Sequence, residues 1–239
     1  MQQNTWRSKK LLFINLQIQY NLQLYTTNYV FKSIISNIKL LSFKEKNTKC
    51  ANNKKKGCLT LKQKLSEKLK KNMRVIPNFP RKGILFQDIT SITDNAKLFR
   101  QVVKEISKYA VQQKFSKIAA IEARGLIFGT AIAFESKVPL VPIRKSGKLP
   151  GKVLKQKYSL EYGNDEIQIH QNAINSKDKI LIVDDLIATG GTAAAAAKLI
   201  SKFKVKKIEF YIIIDLVNVG GSESVGKKYK ISSLLKTEG

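Results

Sequence analysis

The sequence predicts an α/β protein, a parallel-sheet core flanked by helices. Three observations predict it. Short apolar runs suited to buried strands recur at 117–121, 138–143, 179–183 and 208–216. Stretches with helical spacing or composition lie between them. Strand, helix and strand in repetition argue for parallel pairing, because parallel neighbours need a crossover and the crossover helix covers the sheet.

Each element follows from its own residues. Leu61, Leu65 and Leu69 recur every four positions between Lys and Glu, as on one face of an amphipathic helix. Pro77 and Pro80 are expected to end that segment. Residues 94–114 place Leu98, Val102, Val103, Ile106, Tyr109 and Ala110 on one helical face, with Asp94 as the expected N-cap. Residues 117–121 read as a short buried strand, 125–135 as a helix and 138–143 as a second strand. A long polar stretch follows at 145–163, with Gly147, Pro150, Gly151 and Gly163. Such a segment inside a domain reads as a functional loop or hairpin. Residues 179–183 form the cleanest strand, leading into two aspartates. The Ala-rich segment 192–203 reads as a helix and 208–216 as a long apolar strand.

Composition narrows the class. The chain has 239 residues, 43% hydrophobic and 26% charged, which suits a globular protein able to bury a core without staples. Its two cysteines, Cys50 and Cys58, and its one histidine, His170, are too few for a structural zinc site. They also make a disulfide framework unlikely to be the organising device, which suits a reducing compartment such as the cytoplasm. His170 has no partner that suggests catalysis and reads as structural.

The net charge of +27 raises the question of nucleic acid. Residues 1–72 carry 16 Lys and Arg against 2 acidic residues, and the rest of the chain carries 28 against 15. Half the excess therefore sits in less than a third of the chain. Residues 1–58 are rich in Asn, Gln, Lys and Ser, with no acidic residue before Glu45. Their apolar runs are too short for a membrane span or a secretory signal. Two readings fit: an organelle transit segment, or a disordered extension of biased composition. Met73 offers a later start, at the cost of the preceding helical segment. The expected organisation is a basic extension over 1–58 and a folded domain over 59–239.

The most informative string is Ile182-Val183-Asp184-Asp185-Leu186-Ile187-Ala188-Thr189-Gly190-Gly191-Thr192. A buried strand enters a Gly/Thr turn and a helix begins at once. That places backbone N–H groups at a positive helix terminus, ready for a phosphate. Gly190 and Gly191 allow a tight turn and close approach. The Thr189 and Thr192 hydroxyls add donors. Asp184 and Asp185 are expected where the strand ends, at the carboxyl edge where open α/β sheets bind ligands. Paired carboxylates there suit ribose hydroxyls and a partly hydrated Mg²⁺. The string is not a Walker A loop, because no Gly-Lys-Ser/Thr follows at the right spacing.

This string resembles the phosphoribosyl pyrophosphate signature of type I phosphoribosyltransferases. Further blocks resemble the adenine phosphoribosyltransferase family: residues 79–90 (FPRKGILFQDIT), 122–125 (EARG), 144–150 (RKSGKLP) and 158–163 (YSLEYG), in that family's order. The likeness runs from about residue 60 to the C-terminus. It implies a type I phosphoribosyltransferase-like parallel-sheet core flanked by helices, with a flexible hood loop. It implies that the chain makes AMP and pyrophosphate from adenine and phosphoribosyl pyrophosphate with Mg²⁺, as a homodimer.

The resemblance also assigns roles. Ala188, Thr189, Gly190, Gly191 and Thr192 would hold the 5′-phosphate, and Asp184 and Asp185 the ribose hydroxyls. Arg124 would fork onto pyrophosphate. Arg144, Lys145 and Lys148 would neutralise that leaving group, in part across a dimer interface. Glu161, in the hood, is the candidate acid/base for the purine, and Tyr162 would help to seal the hood. Leu85, Phe86 and Gln87 match the adenine pocket. Gln87 stands where many relatives have arginine, but the contact expected there is largely a backbone one. Mg²⁺ would be held mainly by the substrate's pyrophosphate, with Asp184 or Asp185 reaching it through water. Two rivals remain at this stage: a phosphoribosyltransferase for another purine, and a nucleic-acid-binding regulator that keeps the site as a sensor. The tail lacks a helix-turn-helix or a basic–aromatic repeat, which argues against nucleic acid.

Overall fold

Helix α1 spans Leu61–Asn72 and buries Leu65 and Leu69, as the four-residue spacing predicts. The computed structural model describes residues 60–160 and 163–239, so the expected extension over 1–58 lies outside the described residues. Residues Leu61–Gly239 form a compact unit.

After α1 the chain departs from expectation. The prolines do not end the helix, which stops at Asn72. Instead β1 (Arg74–Pro77) pairs antiparallel with β2 (Leu85–Asp88) as a separate two-stranded ribbon. Pro77 is tolerated because it closes a short edge strand. Helix α2 (Thr90–Thr93) and helix α3 (Ala96–Gln112) follow. The N-cap of α3 is Asn95, not Asp94: its side chain accepts a bond from Leu98 N–H. Asp94 instead caps the end of α2, with its N–H on the Thr90 carbonyl.

The main sheet has seven strands. They are β3 (Lys117–Ile121), β4 (Leu140–Lys145), β5 (Val153–Leu160), β6 (Gly163–His170), β7 (Lys179–Ile187), β8 (Lys207–Leu216) and β9 (Lys230–Thr237). Their order is β5-β6-β4-β3-β7-β8-β9. The core from β4 to β9 pairs in parallel. The polar stretch at 145–163 resolves as the alternative of a hairpin: β5 and β6 pair antiparallel, and β6 joins β4. β4 begins at Leu140 rather than Val138. It tolerates Pro142 inside the sheet because β6 pairs with it only from Arg144 onward.

Helix α4 (Arg124–Ser136) connects β3 to β4, helix α5 (Gly191–Ser201) connects β7 to β8, and the short α6 (Gly221–Gly226) precedes β9. Alternate residues of each central strand feed opposite faces, as the period of two requires. Leu181 and Val183 join Leu98, Val102, Ile106 and Phe128 on one side. Ile180 and Ile182 join Ala196, Leu199 and Phe210 on the other. Both faces are covered, which is why these strands are apolar throughout.

The close contact of α4 with β3 depends on Gly129. A Cβ there would run into the Ala120 side chain of β3. Gly129→Val should therefore lower stability by about 2 kcal/mol through overpacking. Urea denaturation of the full chain would check this, and an unchanged midpoint would contradict it.

Candidate active site

The carboxyl ends of β3, β4 and β7, with the β5–β6 hairpin, enclose a cavity of about 470 Å³. β3 delivers the turn of Glu122, Ala123 and Arg124, and β4 delivers Lys145. β7 delivers Asp184 and Asp185 and then the turn of Ala188, Thr189, Gly190, Gly191 and Thr192. The two aspartates do not end the strand as expected. β7 continues to Ile187, because Leu186 and Ile187 still pair with Ile214 and Asp215 of β8.

The turn is shaped by glycine. Gly190 caps α5 with φ of 80°, a left-handed conformation that costs glycine little. A Cβ on it would approach the Gly221 carbonyl at 2.8 Å. Gly221 N–H in turn donates to the Ala188 carbonyl at 2.9 Å. The first N–H groups of α5 are left without intrahelical acceptors and meet the cavity, an arrangement that favours an anion.

Beside this positive terminus lie two carboxylates. Asp185 N–H donates to Asp184 Oδ1 at 2.9 Å. Arg124 Nε stands 2.9 Å from Asp185 Oδ2, an ion pair, although that buried oxygen receives no well-aligned hydrogen bond. Burial raises the Asp184 carboxyl well above its ordinary value, and the neighbouring Asp185 adds to the effect. Asp184 keeps some surface toward the cavity but is enclosed by protein elsewhere. Burial also raises Asp185, and the Arg124 charge opposes it. Gly125 permits this crowding, since a Cβ there would meet Asp184 Oδ1 at 2.7 Å.

The expected basic residues are present, and each already has an acidic partner. Arg144 Nε bonds Glu122 at 2.8 Å, and Lys148 stands 3.6 Å from the same carboxylate. The Arg144 bond, helped by the Lys145 N–H, lowers the Glu122 carboxyl despite its burial. Lys145 stands 3.1 Å from Asp165. Arg144 and Lys148 meet at Glu122 and do not themselves line the cavity.

The ribbon residues Leu85, Phe86 and Gln87 also lie off the cavity wall. Phe86 is nonetheless linked to it: the Arg124 guanidinium lies over its ring, 5.5 Å from the centroid, and Phe79 packs against it edge-on with centroids 5.0 Å apart. Leu85 is exposed and Gln87 is buried. Glu161 and Tyr162 lie outside the described residues. Sequence reasoning passed over Tyr158, Asp165 and the acidic role of Glu122, all of which line the cavity. The signal for the first two was the hairpin register, which sets Tyr158 opposite Asp165.

A parallel sheet whose carboxyl edge carries a glycine-rich turn at a helix N-terminus beside paired acids is the arrangement that the phosphoribosyltransferase resemblance implies. A family model for the phosphoribosyl transferase domain matches residues 88–236. The adenine phosphoribosyltransferase of Pelagibacter ubique is 42% identical over 172 residues, covering 72% of this chain and 98% of its own. Adenine phosphoribosyltransferase 1 of Triticum aestivum is 45% identical, covering 67% of this chain and 88% of its own. The Saccharomyces cerevisiae enzyme, solved with an imino-altritol bisphosphate and adenine, superposes with a TM-score of 0.68 at 35% identity, covering 72% of this chain and 99% of that one. The chain belongs to the adenine phosphoribosyltransferase family.

The raised Asp184 pKa carries a stability consequence. A carboxyl whose folded pKa exceeds its unfolded value of 3.8 penalises the fold at neutral pH, and the penalty vanishes below that value, where both states are protonated. Asp184→Asn should therefore raise the ligand-free melting temperature by a few degrees at pH 7, with no gain at roughly pH 3.5. Equal shifts at both pH values in thermal scans would contradict this origin.

Proposed function

We propose that the chain transfers the phosphoribosyl group of phosphoribosyl pyrophosphate to adenine, giving AMP and pyrophosphate in purine salvage. One observation carries the reading: an anion turn and two adjacent aspartates, one buried and one half-buried, share one cavity in a chain of the adenine phosphoribosyltransferase family. The domain over 59–239 performs the reaction, and 1–58 is an appendage to it.

In this reading the 5′-phosphate sits on Ala188, Thr189, Gly190, Gly191 and Thr192, and the ribose hydroxyls bond Asp184 and Asp185. Arg124 and Lys145 face the pyrophosphate, and Arg144 and Lys148 reach it from Glu122. The C1′–oxygen bond breaks, and pyrophosphate keeps the electron pair. The N9 lone pair of adenine forms the new bond to C1′, and the base loses a proton, for which Glu161 is the proposed acceptor. Tyr162 closes the hood over the reacting centre. Leu85, Phe86 and Gln87 frame the base. Positioning and charge stabilisation supply the catalysis, with no covalent intermediate.

Mg²⁺ fits the donor set. Asp184 and Asp185 are hard oxygen ligands at the cavity, and Asp185 Oδ2 lacks a well-aligned donor. The ion would neutralise the pyrophosphate, with these aspartates reaching it through water.

The proposed assembly is a homodimer. Helix α4 exposes Ile127 and Phe134, seven positions apart on one face, and Phe134 is 86% exposed. An aromatic side chain so exposed on a helix suits a second copy. Among the described residues no helix is long and apolar enough to cross a membrane. The proposed compartment is the cytoplasm, with no nucleic-acid partner.

The test is base selectivity of the full chain with Mg²⁺ and phosphoribosyl pyrophosphate. Adenine should exceed hypoxanthine, guanine and xanthine in kcat/KM by about 100-fold or more, because unpaired polar groups on the wrong base are costly. Paired Asp184→Asn and Asp185→Asn changes should lower kcat/KM by roughly 100-fold or more. Turnover of an oxopurine would reassign the pocket at Phe86, and no turnover with any base would overturn the enzyme reading. Phe134→Glu should shift sedimentation toward the monomer; an unchanged species would place the interface elsewhere.

A further inference from the structure

The hairpin does more than cover the cavity. Register places Tyr158 of β5 directly opposite Asp165 of β6. Asp165 Oδ1 is pinned by the Glu166 N–H at 2.7 Å. Its Oδ2 accepts the Tyr158 hydroxyl at 3.1 Å and also meets Lys145 Nζ at 3.1 Å. One oxygen thus gathers a phenol from β5 and an ammonium from β4. Lys145 belongs to the basic segment, and Thr192 to the anion turn across the cavity. Tyr158, Asp165, Lys145 and Thr192 all line that cavity.

The charges agree with the geometry. Burial pushes Asp165 up, but the bonds from Glu166 N–H, Lys145 and Tyr158 outweigh it, and the carboxyl stays ionised. Asp165 in turn raises Lys145, which therefore stays an ammonium. A lysine is a point charge on a flexible stem, so its direction is set only by what holds it. Here Asp165 holds it.

We propose that Tyr158 and Asp165 are positioning residues for the pyrophosphate side of the cavity, Asp165 aiming Lys145 and Tyr158 fixing the carboxylate that does so. The inference rests on the transfer reaction proposed above, but binding alone can test it. The pair acts through Lys145 and does not touch the reacting atoms.

Calorimetry on the full chain, with magnesium pyrophosphate and with ribose 5-phosphate as separate probes, is the experiment. Asp165→Asn should weaken pyrophosphate about tenfold or more, the scale of one charged hydrogen bond, and ribose 5-phosphate by under about twofold. Tyr158→Phe should weaken pyrophosphate by a smaller factor and ribose 5-phosphate by under about twofold. Because Tyr158 acts through Asp165, the double variant should match Asp165→Asn to within about twofold rather than multiply the losses. The KM for adenine should stay at the wild-type value. Wild-type pyrophosphate affinity in Asp165→Asn would overturn the proposal, as would fully multiplicative losses or a matching rise in the adenine KM. If Tyr158→Phe fails to fold, the unequal response of the two probes to Asp165→Asn decides. A wild-type chain that binds both probes yet makes no AMP would sink the adenine reading and leave the link standing.

Discussion

Two carboxylates on adjacent positions of a buried strand repel each other and lose hydration, and much of the surrounding structure answers that cost. Asp184 is raised well above the ordinary carboxylate range by burial and by its neighbour. Arg124 supplies the nearest counter-charge, 2.9 Å from Asp185. Gly125 leaves out a side chain where Asp184 needs the room. The helix that follows points its positive end into the same cavity. None of these features stabilises the free protein as well as an apolar residue would. They make sense as a site prepared for sugar hydroxyls and anions that are yet to arrive.

The cations show the same preparation. Arg124 is paired with Asp185, Arg144 and Lys148 with Glu122, and Lys145 with Asp165. A basic cavity left unpaired would repel itself and be costly to fold. Pairing each cation with an internal carboxylate holds it in place at nearly neutral local charge. An incoming polyanion then meets cations already held in position, and the fold need not create positive charge on demand.

The sheet was legible because its strands are buried on both faces. Lys117–Ile121 and Lys207–Leu216 are continuous apolar runs, and 117–121 and 208–216 are the boundaries the sequence predicts to within a residue. The end of β7 was not, since Asp184 and Asp185 look like a strand terminus until the pairing of Leu186 and Ile187 with β8 is known. β1, β2 and β9 carry exposed or polar residues and so leave no clear periodic signal. Asp94 and Asn95 are both good caps, and only local geometry chooses between them. The phosphate turn was legible because glycine, threonine and acid occur together in sequence. Tyr158 and Asp165 were not, because their meeting depends on hairpin register rather than on adjacency.

Arg124 joins the parts that sequence reads separately. Its guanidinium faces Asp185 on one side and the Phe86 ring on the other. The β1–β2 ribbon is not part of the main sheet, so it needs some tie to the cavity. A planar, always-charged group can pair with a carboxylate and lie on an aromatic face at once, which a lysine cannot do as well. The ribbon that carries Phe86 and the strand that carries Asp185 therefore share one residue, and the position of the ribbon over the cavity depends on the same side chain that offsets the buried carboxylate.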